Sequence, residues 1–479
     1  MGNEKEALFQ QRLKRYTTAM RNGKPDMVPI RPFVAEFAGK YAGMTCQDVS
    51  MDYQMAFQAA RRCAADFDWD AVVGNMVYVW TGLTEAIGLK YYGVPGIHFD
   101  ADTAFQYREP PEDEAFMKPD EYDALIADPT TYLYETWLPR AAKSVCAMGE
   151  PVTLENNLSF VKGGMAMLSY FTAFGEQARL LREESGTPGA ICGILKAPLD
   201  ILADKFRGYL GLMEDIRTQP EKVRAACEAL APHLFNVALG SSDPTCTVPV
   251  GLWMHRSGVP FVSFETFNEI FWPTLKPIIL ELWKNGRQTL FYAEGNWDYH
   301  LDRFAELPAG SIVYHVDQGD IFKVHKALGD KFCLSGGVPN AMLSYGTPEE
   351  VRDCVTSIIE GVAGDGGYIL DASAIVQNDA SIENMRVMTE TARRVGKYTD
   401  VSADYEIPAP LSSLGADFDS GLQNPEWARS GMKPNVCIPW EARKAQLPPI
   451  VGDEALVKRI WEEIDAFGNM YIWQILLSF

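Results

Sequence analysis

Through the second half of the chain, short apolar runs alternate with segments whose apolar residues recur about every 3.6 positions. "CTVPVGLWM" reads as a strand, and "FETFNEIFWPTLKPIILELWKNG" as a helix that tolerates Pro273 near its start. "QTLFYAE", "SIVYHVD", "FCLSGGV" and "YILDASA" read as further strands, each followed by a helical segment. Nearer the N-terminus the same order holds. The first twenty residues read as a helix, Met27 to Val34 as a strand, "CQDVSMDYQMAFQAARRCAADF" as a helix and Ala71 to Val79 as a strand. The middle is richer in helix. Helices are predicted on both sides of Asp128-Pro129, over "MAMLSYFTAFGEQARLLREE", and on both sides of Pro220.

One helix is specified residue by residue. Thr347 is an N-cap, Pro348 suits the first helical position and Glu350 completes a capping box. Val351, Cys354, Val355, Ile358, Ile359 and Val362 form one apolar stripe, and Gly364, Gly366 and Gly367 end it.

Strand-helix units in series predict a parallel sheet. No strand is followed by a G-x-G-x-x-G or a G-x-x-x-x-G-K-[ST] loop, which favours a closed barrel over a nucleotide-binding open sheet. The prediction is a (β/α)8 TIM-type barrel with extra helices over residues 1–400. A C-terminal extension, 401–479, packs on the barrel or on a partner subunit. It is rich in turn formers and ends in an apolar tail (Trp473, Ile475, Leu476, Leu477, Phe479) too sticky to be left in water.

Composition narrows the function classes. The 479 residues carry a formal net charge of −21, which argues against nucleic acid or an anionic membrane surface as partner. The first residues lack the apolar core of a secretory signal and the Ser or Thr of a myristoylation motif. No run of about 18 apolar residues is present to span a membrane. Nine scattered cysteines without a Cys-x-x-Cys pair fit free thiols in a reducing compartment, so a cytoplasmic protein is expected.

Chemistry in such a barrel sits at the C-terminal strand ends. Those ends read Glu294, His315 with Asp317, Gly336–Gly337 and Asp371. Glu294 ends a buried run and is followed at once by Gly295 and Asn296, so it is a metal ligand, a proton carrier or a surface carboxylate. His315 and Asp317 lie two residues apart and so on one face. His255 sits where "VGLWMHRSG" runs into a loop. One imidazole and two carboxylates would suit zinc with an open fourth position. The same groups would equally serve as acid and base, or form a hydrogen-bonded rim that only caps the barrel. Aromatics of "VYVWTGLTEAIGLKYYG", Trp80 among them, line an apolar pocket or belong to plain core. His233 and His325 lie on helix faces and read as structural, and Cys333 as a packed thiol. Asp298-x-His300 starts like a D-x-H-x-x-G corrinoid motif, but Arg303 replaces its glycine, so no cobalamin domain of the chain's own is expected.

"EAIGLKYYGVPG", "MKPDEYDALIADP", "APLDILADKFRG", "MHRSGVPFVSFETFNEIFWPTLK", "FYAEGNWDYHLD" and "LSGGVPNAML" together resemble the uroporphyrinogen decarboxylase superfamily over roughly residues 25 to 400. Within it, they resemble the corrinoid-dependent methyltransferases of anaerobic O-demethylase systems. The Arg-Gln-Ala-Gly-Arg signature that grips porphyrin carboxylates in decarboxylases is reduced to Arg31 in "VPIRPFVAEFAGKY". Where thiolate-zinc relatives keep His-x-Cys, this chain reads Tyr292-Ala293-Glu294, and the later Cys falls near Ala374. The resemblance implies that any zinc is held by oxygen and nitrogen, from Glu294 and His315 with His255, Asp317 or Asp371 as third ligand.

The expected activity is transfer of a methyl group from a small methylated compound, a methoxylated aromatic first, to a separate corrinoid protein. Glu294, His315 and Asp317 are the candidate catalytic residues. Tyr292, Asn296, His255, Trp80 and Asp371 are the candidate substrate contacts, and Glu294, His315 and His255 the candidate metal ligands. The apolar tail suggests a homodimer. The alternatives are decarboxylation of a carboxylated ring, which calls for several basic residues in the pocket, and a non-catalytic binding protein on a barrel that has lost its cysteine ligands.

Overall fold

The computed structural model describes residues 2–75, 81–90, 92–254, 256–401, 414–415, 417–422 and 434–477. Six parallel strands stand side by side in chain order: Ile194–Lys196, Val250–Met254, Thr289–Ala293, Ile312–Val316, Cys333–Gly336 and Tyr368–Ile369. Two further segments close the ring. Ile30 and Val34 bridge Leu370 and Val376, and Val72 bridges Gly189, all parallel. Between those segments, the Asp70 amide donates to the Ile30 carbonyl at 2.8 Å. The barrel is therefore complete, although its first two staves are bridges rather than full strands. Pro29 and Pro32 remove two donors from the first stave, which prevents a continuous ladder. The expected strand from Ala71 to Val79 runs into 76–80, outside the described residues.

Register fixes what lines the barrel. Lys196 pairs with Trp253, Trp253 with Tyr292, Tyr292 with His315, and His315 with Ser335. Residues at one level of neighbouring parallel strands face the same side, so these five form one inward layer. One level below, Leu290, Val313 and Cys333 pack with Tyr16, Ala19 and Met20. The helix Gly2–Met20 thus plugs the N-terminal end and leaves the C-terminal end for chemistry. Intervening strand residues, such as Phe291, Tyr314 and Leu334, face the helical layer.

The helix Pro348–Val362 forms as its sequence specifies, with the Thr347–Glu350 capping box and buried Val351, Val355, Ile358, Ile359 and Val362. Cys354 lies at the edge of that stripe, partly exposed. The segment "WDYHLDRFAEL" departs from expectation: only Leu301–Phe304 is helical. The Asn296 side chain accepts from the Asp298 amide at 3.0 Å, and this turn holds the preceding residues out of the helix. Helix Leu154–Leu180 starts well before its predicted region. The last helix, Glu454–Leu477, docks its apolar end on the body of its own chain: Trp473 stacks on His233 at 4.6 Å and donates to Thr130 Oγ1 at 3.2 Å. No helix among the described residues is long and apolar enough to cross a membrane.

Candidate functional site

The inward layer beneath the C-terminal mouth is buried, and at His315 and Ser335 it is polar. His315, from the Ile312–Val316 strand, has Nδ1 3.0 Å from Ser335 Oγ and Nε2 2.8 Å from the Ser373 carbonyl. A carbonyl only accepts, so Nε2 carries the proton and Nδ1 accepts from the serine hydroxyl. Burial, reinforced by the Arg31 charge, lowers the imidazole to about 3, so it is neutral. Arg31 and Asp371, both without solvent exposure, pair at 2.7 Å. The other Asp371 oxygen accepts the Phe33 amide at 3.2 Å. Burial pushes the Asp371 carboxyl up while Arg31 pulls it back.

These partners correct two expectations. His315 has both ring nitrogens engaged, so it is a hydrogen-bonded member of the barrel wall and not a metal ligand in this arrangement. Asp371 is the counter-ion of Arg31 and does not reach the mouth as a substrate contact. Arg31 is buried by the same pair and is not presented to a substrate carboxylate.

Within the same layer, Trp253 and Tyr292 form an aromatic floor with Phe33. Tyr292 stacks on His315 with ring centroids 4.0 Å apart, and meets Trp253 at 4.5 Å and Phe33 at 5.0 Å. The Tyr292 hydroxyl is buried without a hydrogen-bond partner. Burial, then the Asp371 and Glu294 charges, raises its pKa well above the ordinary value, so it remains a proton-bearing donor. An unmade hydrogen bond there costs about 1–3 kcal/mol, which an acceptor atom of a ligand would recover.

At the rim, Glu294 and Asn296 leave the Thr289–Ala293 strand half-buried. Between them, Gly295 adopts a φ of +88°, which favours glycine and turns the chain sharply. Asp317 accepts the Gly295 amide at 2.7 Å and so fixes that turn. Burial raises the Asp317 carboxyl above its ordinary value. Asn296 bridges Val259, tying this turn to the loop after the Val250–Met254 strand.

The opposite wall is a charged group that sequence reasoning missed. Lys196, in the inward layer, pairs with Asp204 at 2.8 Å, and Arg256 reaches the other Asp204 oxygen at 3.3 Å. Arg256 also lies 3.8 Å from Glu109 and beneath it Asp200 accepts from the Arg256 amide and Ser257 hydroxyl. Lys205 is buried, donates to the Tyr92 hydroxyl at 3.2 Å and sits over the Tyr92 and Tyr107 rings. Burial, then the charge of Lys196, lowers the Lys205 ammonium well below its usual range. The strand that carries Lys196, Ile194–Lys196, is three residues long and was not read from the sequence.

Among the described residues, no three His, Cys, Asp or Glu side chains gather as metal ligands would. With both His315 ring nitrogens hydrogen-bonded, His315 is not free to ligate in this arrangement. His255 and Trp80 lie outside the described residues. His300, buried and stacked 3.6 Å from Phe267, is part of an aromatic cluster.

Residues 148–395 match the family model described as uroporphyrinogen decarboxylase (URO-D). No curated protein sequence matches the chain. Among solved structures, a methyltransferase from Methanosarcina mazei superposes with a TM-score of 0.53 at 14% identity, over 80% of this chain and 98% of that one.

Proposed function

From the premise that the chain belongs to the uroporphyrinogen decarboxylase family, we propose that it is a methyltransferase. It takes a methyl group from a small methylated compound, a methoxylated aromatic in the first instance, and delivers it to a separate corrinoid protein. One observation carries this reading: the aromatic floor of Phe33, Trp253 and Tyr292 lies beneath a carboxylate rim, while the arginine left from the porphyrin signature is buried against Asp371. A tetrapyrrole with several carboxylates finds no arginine grip there. An aromatic lining suits a flat, weakly charged ring better than a polycarboxylate.

The chemistry asked of the chain is modest. The methyl–oxygen bond breaks heterolytically: the methyl leaves without the electron pair, and the oxygen keeps the pair and takes a proton. The corrinoid, carried by the other protein, supplies the methyl acceptor. Glu294 at the rim gives the proton, Asp317 holds the turn that aims it, and Tyr292 donates a hydrogen bond from the floor. Asp317, with its raised carboxyl, is the reserve acid. No zinc ion enters this scheme.

Glu294→Gln keeps the shape and removes the acid. It is expected to lower methyl transfer by about 10²-fold or more and to leave the thermal midpoint unchanged. A variant with full turnover contradicts the role of Glu294.

Decarboxylation of a carboxylated ring is the second reading, and the basic residues Lys196, Lys205 and Arg256 favour it. Lys196 and Arg256 are already matched by Asp204, which weakens their grip on an incoming carboxylate. Release of CO₂ from aromatic acids without any corrinoid protein would decide for it.

A further inference from the structure

From the C-terminal end of the Ile194–Lys196 strand the chain turns at Pro198 and winds Leu202–Arg207 as a π-helix. Such wide turns are rare and recur at functional sites. Every side chain of this turn is buried, that of Lys205 completely. The Trp137 indole donates to the Lys205 carbonyl at 2.6 Å and holds the turn. The Lys205 amine donates to the Tyr92 hydroxyl at 3.2 Å and lies 5.1 Å and 5.6 Å from the Tyr92 and Tyr107 ring centres. Arg256 sits over the same Tyr107 ring at 5.6 Å. Tyr107 and Arg256 are both partly exposed, so Lys205 lies one side-chain layer from solvent. Asp204 is taken up by Lys196 at 2.8 Å and Arg256 at 3.3 Å. Burial and the nearby Lys196 charge both favour the unprotonated amine at Lys205. These are the two conditions that activate a lysine towards a carbonyl carbon.

We infer that Lys205 is a nucleophilic amine that forms an imine with a small aromatic aldehyde entering the mouth, with Tyr92 as its proton carrier. The nitrogen attacks the carbonyl carbon, and the C=O π pair moves to the oxygen, which takes the Tyr92 proton. Tyr92 regains a proton from the nitrogen. The new hydroxyl then leaves as water with the second nitrogen proton, and the nitrogen pair closes the C=N bond. No oxidant or reductant is consumed. An aromatic aldehyde is favoured because Tyr92 and Tyr107 flank the amine and Trp253 neighbours Lys196 in the sheet register. The inference is independent of the proposed methyl transfer.

Reductive trapping on the full chain tests it. The protein is mixed with benzaldehyde and sodium cyanoborohydride, and benzylated lysines are mapped by mass spectrometry. Lys205 is expected to be labelled before any other lysine. An exposed lysine loses unprotonated amine about tenfold per pH unit below about 10.4. The ratio of labelling at Lys205 to labelling at exposed lysines is therefore expected to rise about tenfold from pH 9 to pH 8. Tyr92→Phe keeps the ring and is expected to slow labelling of Lys205 at least about tenfold, with unchanged circular dichroism. Labelling confined to exposed lysines overturns the inference. An unchanged rate at Lys205 in Tyr92→Phe, or labelling of Lys205 by acetaldehyde but not by benzaldehyde, also overturns it.

Discussion

Asp371 illustrates how a strand-end residue can be located by counting yet misjudged in role. The sequence placed it at the end of the strand "YILDASA", and it lies buried just after that strand. Its partner, Arg31, comes from the opposite end of the domain, and no local pattern links the two. The same holds for His315, whose partners Ser335 and Ser373 lie on other staves. Period-two reading finds the face; whether that face is wet or sealed depends on neighbours distant in sequence. The pair makes a sharp prediction. Asp371→Asn leaves the Arg31 guanidinium buried without an anion, and removing one partner of such a pair costs about 3–5 kcal/mol. Arg31→Met with Asp371→Leu is expected to regain most of that, as read by urea denaturation. Gly336 is a second residue-scale test. At its φ of +88° an added Cβ would meet the Val316 carbonyl at 2.3 Å, so Gly336→Ala is expected to destabilise by about 2–3 kcal/mol.

Elements with complete local signals were legible. Thr347, Pro348 and Glu350 specify their helix start without help from the rest of the chain. Asp128 caps the helix after the predicted break at Pro129 in the same way. Elements held by remote contacts were not: the proline-interrupted first stave exists because Leu370 and Val376 pair with it. The last helix docks through the His233–Trp473 stack, and that contact titrates. Burial lowers His233 from its ordinary 6.5 to about 4. The folded chain keeps it neutral while the unfolded chain binds a proton below about pH 6.5. Its contribution to stability is therefore complete above pH 6.5 and is lost as pH falls towards 4. His233→Phe keeps a ring on Trp473 and removes the titration. Between about pH 7 and pH 5, the variant is expected to lose about 1–2 kcal/mol less stability than the wild type. An identical loss in both proteins contradicts this account of the docked tail.

At the scale of the whole molecule, the plugged N-terminal end leaves one mouth, and the mouth has two unlike walls. The carboxylate turn of Glu294 and Asn296, held by Asp317, was visible in sequence as a strand ending in Glu-Gly-Asn. The Lys196, Asp204 and Arg256 wall was not, because no strand was read over Ile194–Lys196 and the other two members read separately as a helix and a loop. Together the walls frame an aromatic floor with an unpartnered Tyr292 hydroxyl, suited to a small planar substrate with an oxygen at its edge. The central claim is methyl transfer from that oxygen, and a single assay addresses it. The purified chain is mixed with a corrinoid protein reduced to Co(I) and a panel of methoxylated aromatics, and formation of methyl-cobalt is followed by its absorbance. The account predicts methyl-cobalt together with the matching free phenol, both abolished by Glu294→Gln. No methyl transfer across a broad panel of methyl donors would contradict it.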